Sequence, residues 1–457
     1  MKLNTKRTLL VGLAFLSISA FWQMYDGVVP LILANNFQLD ESWTGMIMAA
    51  DNILALFLLP LFGGLSDKCN SKIGRRMPFI LAGTAMAVML MNLLPMLANR
   101  FFAGASGLLL IGFVVVLGLL LISMGVYRSP AVALMPDVTP KPLRSKGNAI
   151  INLMGAVGGL IYLGVAAVVY SNSNIEKFFT VGYIPGVDGI SVPVVDYSVL
   201  FAVVSCIMVA AVAVLFITIK EPKLAAENRA YELAHPEQVL TEKGEDGIET
   251  LPKGVKRSLG FLLVSISLWF IGYNGVTTWF STYVSRIMGE GIGGTSTCLL
   301  VATGGAIISY IPVGNLASKI GRRKTIMGGV ILLTLGFATA FFVTVNATKI
   351  TPPMYILFAV VGVAWAAINV NSLPMVVEMC KGSEVGKFTG YYYTFSMTAQ
   401  VVTPVLAGTL LKTVSYKILF PYAAIFVAAS FVTMCFVKHG DNRIQAKKGL
   451  EAFDTED

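Results

Sequence analysis

The chain has 457 residues, 56% of them hydrophobic and only 13% charged, with a formal charge of +9. Soluble globular proteins carry about 25% charged residues, and a mean hydropathy of +0.74 leaves too few polar side chains to cover a water-facing surface. A soluble enzyme, a disordered chain and a fibrous repeat are excluded, and lipid is the expected solvent for most of the molecule.

Apolar runs near the bilayer length of about 20 residues follow one another along the sequence. Residues 9–33, 43–65, 77–97, 107–132, 149–170 and 198–219 form a first set of six. The first follows Lys2, Lys6 and Arg7 as a signal peptide would. Its apolar stretch continues through Phe21 and Trp22 to Leu33 without a cleavage site, so it reads as a span. Between the fifth and sixth spans, Gly182, Pro185, Gly186, Gly189 and Pro193 signal turns, and no function is assigned there. Residues 220–257, with seven basic and eight acidic side chains, read as a nearly neutral, solvated linker. Residues 258–284, 295–316, 325–346, 353–376, 389–411 and 417–437 form a second set of six. The expected organisation is an N-terminal six-helix bundle (1–219), a linker (220–257), a C-terminal six-helix bundle (258–437) and a tail (438–457).

An even number of spans puts both termini on one side. That side holds 27 of the 34 Lys and Arg residues and the other side six; without 220–257 the ratio is still 20 to 6. Basic residues collect in cytoplasmic loops, so both termini, the linker and the tail are expected in the cytoplasm of a multi-pass inner-membrane protein. The same distribution accounts for the net charge without a nucleic-acid partner. Five cysteines (Cys69, Cys206, Cys298, Cys380, Cys435) show no metal-ligand or redox spacing, and His235 and His439 lie in the linker and tail. No metal, no cofactor and no enzymatic activity are expected.

The two halves echo each other. Gly63-Gly64-Leu65-Ser66-Asp67-Lys68 leads to Gly74-Arg75-Arg76, and Gly314-Asn315-Leu316-Ala317-Ser318-Lys319 leads to Gly321-Arg322-Arg323-Lys324. A second echo links 128–137 to 369–378, each ten residues ending in an acid. On these motifs the chain resembles the major facilitator superfamily over nearly its whole length. The resemblance implies an all-α membrane fold of twelve transmembrane helices in two six-helix bundles. The long loop from Asp67 to Arg76, the Met77-Pro78-Phe79-Ile80 that follows, and Pro60 ahead of Gly63 resemble the glycoside–pentoside–hexuronide:cation symporters, in particular their plant-sucrose-transporter-like branch; Lys220-Glu221-Pro222-Lys223 fits the same group. In the melibiose-carrier branch an acid directly precedes the equivalent of Pro60. Leu59 stands there in this chain, so the expected coupling ion is H+ rather than Na+.

Two acids, Asp26 and Asp51, lie inside spans. A charge near the bilayer centre costs about 2.5–3.5 kcal/mol on insertion scales and usually faces a cavity or a partner. Span one runs outward and span two inward, so both acids sit at similar depth, somewhat to the external side of the midplane. Two close carboxylates resist simultaneous ionisation, which suits them to hold and release a proton; hydrogen bonding of buried acids to Ser, Asn or Tyr is the competing account. Arg128 is the one cation inside a span. It is read either as a partner of substrate or of these acids, or as a side chain reaching the interface near Asp137. Asp67, Arg75 and Arg76 are read as a gating set, whose interhelical bonds would stabilise one access state.

A sugar site combines amides with aromatic platforms. Trp22 and Gln23 in span one, Asn152 in span five, Asn274 in span seven, Asn369 and Asn371 in span ten, and Tyr393 and Gln400 in span eleven are the candidates. Trp279 and Tyr391 read instead as interfacial anchors. The expected function is import of a di- or oligosaccharide or other glycoside by proton symport through alternating access, with Asp26, Asp51 and Arg128 as coupling residues. The alternative is a proton-coupled efflux pump for amphiphilic small molecules. The expected partners are a small sugar, a proton and lipid, and the expected state is a monomer.

Overall fold

A computed structural model of the chain describes residues 3–104, 107–140, 143–234, 252–379 and 385–441. Of the segments read above, the middle of the linker (235–251, with His235), the tail from 442 to 457 and Cys380 lie outside the described residues. Among the described residues, twelve helices are long and apolar enough to cross a membrane. The N-terminal six are α1 (Thr5–Asn36), α2 (Glu41–Asp67), α3 (Met77–Phe102), α4 (Leu108–Val138), α5 (Lys146–Val169) and α6 (Ser198–Thr218). The C-terminal six are α7 (Lys253–Met288), α8 (Ile292–Ile320), α9 (Arg322–Thr344), α10 (Pro352–Val377), α11 (Lys387–Thr413) and α12 (Tyr416–Cys435).

The ends follow local chemistry. Asp40 caps α2 by accepting from the backbone N–H groups of Ser42 and Trp43, as an N-cap carboxylate does. Gly289 ends α7 in the left-handed conformation. Several spans outrun the apolar pattern. Helix α4 continues through Pro130 and Pro136 to Val138, because neighbouring groups in the bundle can serve the backbone that a proline disturbs. This puts Arg128 ten residues, or about 15 Å, from the end of its helix.

Each half has its own apolar core. Phe21, Phe113, Tyr127 and Phe201 belong to the first, and Trp269, Trp279, Phe337 and Phe420 to the second. Trp279 is therefore not an interfacial anchor. It is fully buried and donates its indole N–H to the Pro404 carbonyl at 3.2 Å, which ties α7 to α11. The halves meet through α2 on α11, α5 on α8 and α1 on α7. At the end away from the termini the approach is backbone to backbone. A Cβ added at Gly45 would lie 2.3 Å from the Pro404 oxygen, one at Gly408 2.4 Å from the Glu41 oxygen, and one at Gly293 2.1 Å from the Tyr170 oxygen.

Two departures from the sequence reading concern the loops. The turn-rich stretch after α5 folds into an antiparallel hairpin, β1 (Thr180–Pro185) and β2 (Ser191–Val195). Its apolar side chains Ile184, Val192 and Val194 bury against Phe102. The first part of the linker is a helix, Glu221–Ala234, rather than a solvated coil. Glu221 is only 2% exposed and Asn228 only 6%. Asn228 donates to the carbonyls of Asp137 and Thr139 at the end of α4.

Candidate functional site

The surfaces where the two halves face each other enclose a cavity with two adjoining lobes. The larger, about 400 Å³, is lined by Trp22, Gln23 and Asp26 of α1, Arg128 of α4, Asn148 and Asn152 of α5, and Tyr310 and Asn369 of the C-terminal half. The second, about 290 Å³, is lined by Asp51 and Asn52 of α2 and by Asn274, Thr277, Thr278 and Gln400 of α7 and α11. Trp22, Asp26 and Arg128 line both lobes. The cavity reaches toward the end that carries the termini, through Asn148 near the start of α5, while the glycine contacts close the opposite end.

Asp26 is exposed to this space although its neighbours Met24, Tyr25 and Gly27 are buried. A carboxylate at that depth keeps its solvation only because the cavity is there. Asp51 is half-buried, and its Oδ1 accepts from the backbone and side-chain nitrogens of Asn52 at 2.6 and 2.9 Å. Asp26 lies within electrostatic reach of Asp51, and Asp51 within reach of Arg128. The Arg128 guanidinium stands 5.9 Å from the Trp22 ring centre, within cation–π range. Trp22 is in turn held by edge contacts to Phe21 and Tyr25 at 5.3 Å each. Beside Arg128, the Ser129 hydroxyl donates to the Leu59 carbonyl at 2.7 Å, fixing α4 against α2.

Trp22, Gln23, Asp26, Asp51, Arg128, Asn152, Asn274, Asn369 and Gln400 thus share one cavity. The indole nitrogen of Trp22 and the amide nitrogen of Asn274 are buried there without a hydrogen-bond partner. Two predicted residues stand elsewhere. Asn371 is 2% exposed and donates to the Ala367 carbonyl of its own helix, and Tyr393 packs edge-on against Tyr392 at 5.4 Å. Tyr310 is one of the cavity residues that sequence reasoning passed over; its signal was an aromatic placed well inside a span rather than at its end. In the C-terminal half, Tyr273 and Trp365 stack in parallel with ring centres 3.7 Å apart.

Asp67, Arg75 and Arg76 meet at the end that carries the termini, wholly within the N-terminal half. Arg75 pairs with Asp137 at 2.5 Å, and Arg76 pairs with Asp137 at 2.8 Å and with Asp67. Arg76, only 4% exposed, also donates to the Ser66 hydroxyl. The Glu221 carboxylate accepts the backbone N–H groups of Arg75, Arg76 and Met77 at 2.8–3.2 Å, so a side chain beyond α6 caps the start of α3. The second half repeats the device. Arg322 pairs with Glu378, and Asp441, beyond α12, accepts the Arg323 backbone N–H at 3.1 Å. Both echoes in the sequence are therefore one feature, since the acids ending 128–137 and 369–378 are partners of the repeated arginines. Gly74 and Gly321 have φ of +118° and +96°, and a Cβ on either would strike the capping carboxylate at 2.1 or 2.7 Å. Only glycine satisfies both demands.

Comparison with known proteins agrees with this architecture. Over 141 residues the chain is 27% identical to the sucrose transport protein SUC3 of Arabidopsis thaliana, covering 28% of this chain and 24% of that protein. Over 143 residues it is 26% identical to the MFS-type transporter ppzB of Metarhizium rileyi (strain RCEF 4871), covering 31% and 29%. The similarity thus spans about a quarter of the length of the curated relatives it matches. Among solved structures, the inward open conformation of the xylose transporter XylE from E. coli covers 98% of both chains with a TM-score of 0.60 at 16% identity. The nucleoside transporter NupG covers 94% of this chain and all of its own with a TM-score of 0.66 at 12% identity; at such identities the likeness speaks to the fold alone. The sequence pattern of the Major Facilitator Superfamily matches residues 11–310 and again 295–453, and the chain belongs to that superfamily, as a transporter rather than an enzyme.

Proposed function

We propose that this transporter imports a di- or oligosaccharide or other glycoside by proton symport, by alternating access across the plasma (inner) membrane, with both termini cytoplasmic. The observation that carries the reading is the exposure of Asp26 inside the cavity, with Asp51 in electrostatic reach and Arg128 and amide side chains lining the same space. With the termini in the cytoplasm, the present arrangement is inward-facing. The limited similarity to sucrose transport proteins supports a sugar as cargo.

In this mechanism the acid pair takes up a proton when the cavity faces outside, which removes the repulsion between Asp26 and Asp51. Sugar hydroxyls meet Gln23, Asn152, Asn274, Asn369 and Gln400, and Trp22 offers a ring face. After the halves rock, the proton leaves toward the cytoplasm and Arg128 neutralises the vacated carboxylate, resetting the site. Asp67, Arg75 and Arg76 brace the N-terminal half through the bonds described above, which lie within one half and so favour neither access state by themselves. An export pump for amphiphilic molecules is favoured by an aromatic, methionine-lined cavity; here seven amide side chains line the lobes against the single Met48.

The test is uptake into proteoliposomes under an imposed pH gradient across a panel of disaccharides. Uphill accumulation driven by the pH gradient is expected, and accumulation that follows sodium and ignores pH overturns the coupling assignment. Asp51→Asn is expected to abolish uphill transport while retaining exchange; full accumulation by that variant removes Asp51 from the mechanism.

A further inference from the structure

The end of the molecule away from the termini carries a set of links that neither the cavity nor the proposed symport uses. Lys412 reaches Asp40 at 3.0 Å, Tyr416 donates to Glu41 at 2.5 Å, and Lys417 reaches Asp188 at 3.1 Å. Arg286, at the end of α7, donates to the Ala34 carbonyl at 2.6 Å and the Pro185 carbonyl at 3.2 Å. Every acid in this set (Asp40, Glu41, Asp188) belongs to the N-terminal half, and every cation or phenol (Arg286, Lys412, Tyr416, Lys417) to the C-terminal half. Two of the links run through the β1–β2 hairpin, at Pro185 and Asp188. The hairpin is also seated on the C-terminal half by close backbone approach: a Cβ at Gly186 would lie 2.9 Å from the Arg286 oxygen, and one at Gly289 2.9 Å from the Ser191 oxygen.

We infer that the hairpin and the start of α2 form a charge-partitioned latch, which holds this end closed and sets the occupancy of the state open toward the termini. The partition matters because the attraction exists only while the halves touch at this end; separating them leaves acids on one lip and cations on the other, each free to hydrate. The links are also weak enough to release. The two lysine pairs are open to water, with side-chain exposures of 47% and 34% for Lys412 and Asp40, and 36% and 71% for Lys417 and Asp188. A pocket of about 370 Å³ bordered by Asp40, Glu41, Arg286 and Tyr416 brings solvent to the remaining contacts. Exposed ion pairs are individually weak and screened by salt, so the latch is a sum of reversible contacts rather than a lock. The inference needs only alternating access and stands whichever solute is carried.

The test is a distance measurement between spin labels at Phe178→Cys and Val414→Cys, positions 73% and 62% exposed on opposite halves, in the full chain reconstituted in liposomes with its five native cysteines replaced. The parent is expected to show one dominant short distance. Lys412→Glu with Lys417→Glu is expected to raise a longer-distance population roughly 4- to 25-fold, each pair contributing about a two- to five-fold change. Adding Asp40→Lys and Asp188→Lys is expected to return the population to within about twofold of the parent, since exchanging the charges preserves the partition. In the parent itself, raising salt from about 0.05 to 1 M is expected to shift the population in the same direction as the lysine reversals. An unchanged distribution in the lysine reversals, a failure of the fourfold exchange to restore the parent distribution, or insensitivity of the parent to salt overturns the latch.

Discussion

A single methyl group at Gly45 should move the transporter from one access state to the other. The Cβ of Gly45→Ala would sit 2.3 Å from the Pro404 oxygen, 2.8 Å from its carbonyl carbon and 3.1 Å from the Val405 Cα. All three are backbone atoms of α11, so no side-chain rotation relieves the clash and the two helices must part. Overpacking of this kind costs about 1–3 kcal/mol, but only in the state where α2 and α11 touch at this end. When that end opens, the methyl group faces space and the cost vanishes. The equilibrium between access states should therefore shift about 5- to 150-fold toward opening of the end away from the termini. The assay is the label pair at residues 178 and 414, with turnover measured in parallel. Two controls bracket the result. Gly164→Ala adds a Cβ with nothing within 4 Å and should leave the distribution alone. Gly158→Ala strikes the Leu16 oxygen at 2.0 Å inside the N-terminal half, so it should lower thermal stability without favouring either state. A Gly45→Ala protein with parental occupancy, or a Gly158→Ala protein that shifts occupancy as strongly, refutes the reasoning.

Glu221→Gln should lower the thermal stability of the N-terminal half by about 1–3 kcal/mol, because a buried carboxylate serving three backbone N–H groups is replaced by an amide that presents a donor to donors. A melting curve indistinguishable from the parent contradicts the capping role. The Asp40–Lys412 contact should not act as a proton sensor in the neutral range. The hydrogen bond from Lys412, then the N–H groups of Trp43 and Ser42, holds the Asp40 carboxyl below the usual carboxylate range. A lowered value means that the contact is at full strength above the ordinary value of about 4 and is lost only as pH falls through the depressed one. The label distance should therefore be flat between pH 5 and 8 as far as Asp40 is concerned. A change in that window that disappears in Asp40→Asn contradicts this.

The sequence revealed the fold through composition and repetition, since twelve apolar runs and a duplicated Gly-Arg-Arg loop leave little freedom in how the chain meets a bilayer. It revealed the cavity through rarity: Asp26, Asp51 and Arg128 stood out because so few charges fall inside spans. Which amides face that cavity was beyond its reach. Asn369 and Asn371 lie on the same helix two residues apart, about 200° around the axis, so one lines the cavity and the other bonds its own helix. An apolar environment on all sides supplies no stripe that would fix the rotation. Glu221 was equally opaque, because its partners are backbone N–H groups with no signature in side-chain identity. The hairpin was hidden behind its own glycines and prolines, and its strands became visible only where Ile184, Val192 and Val194 found Phe102.

The capping carboxylate also orders events during synthesis. The start of α3 is complete only when Glu221 reaches Met77, which lies 144 residues earlier. At translation speeds of about 5–20 residues per second, α3 waits roughly seven to thirty seconds with its first turn unfinished. The nascent first bundle thus remains electrostatically open at one corner until its sixth helix has been made, and the residue that closes it is the first of the helix that follows. A chain that ended just short of position 221 would carry all six hydrophobic segments of the first half and still leave the first turn of α3 without its capping carboxylate.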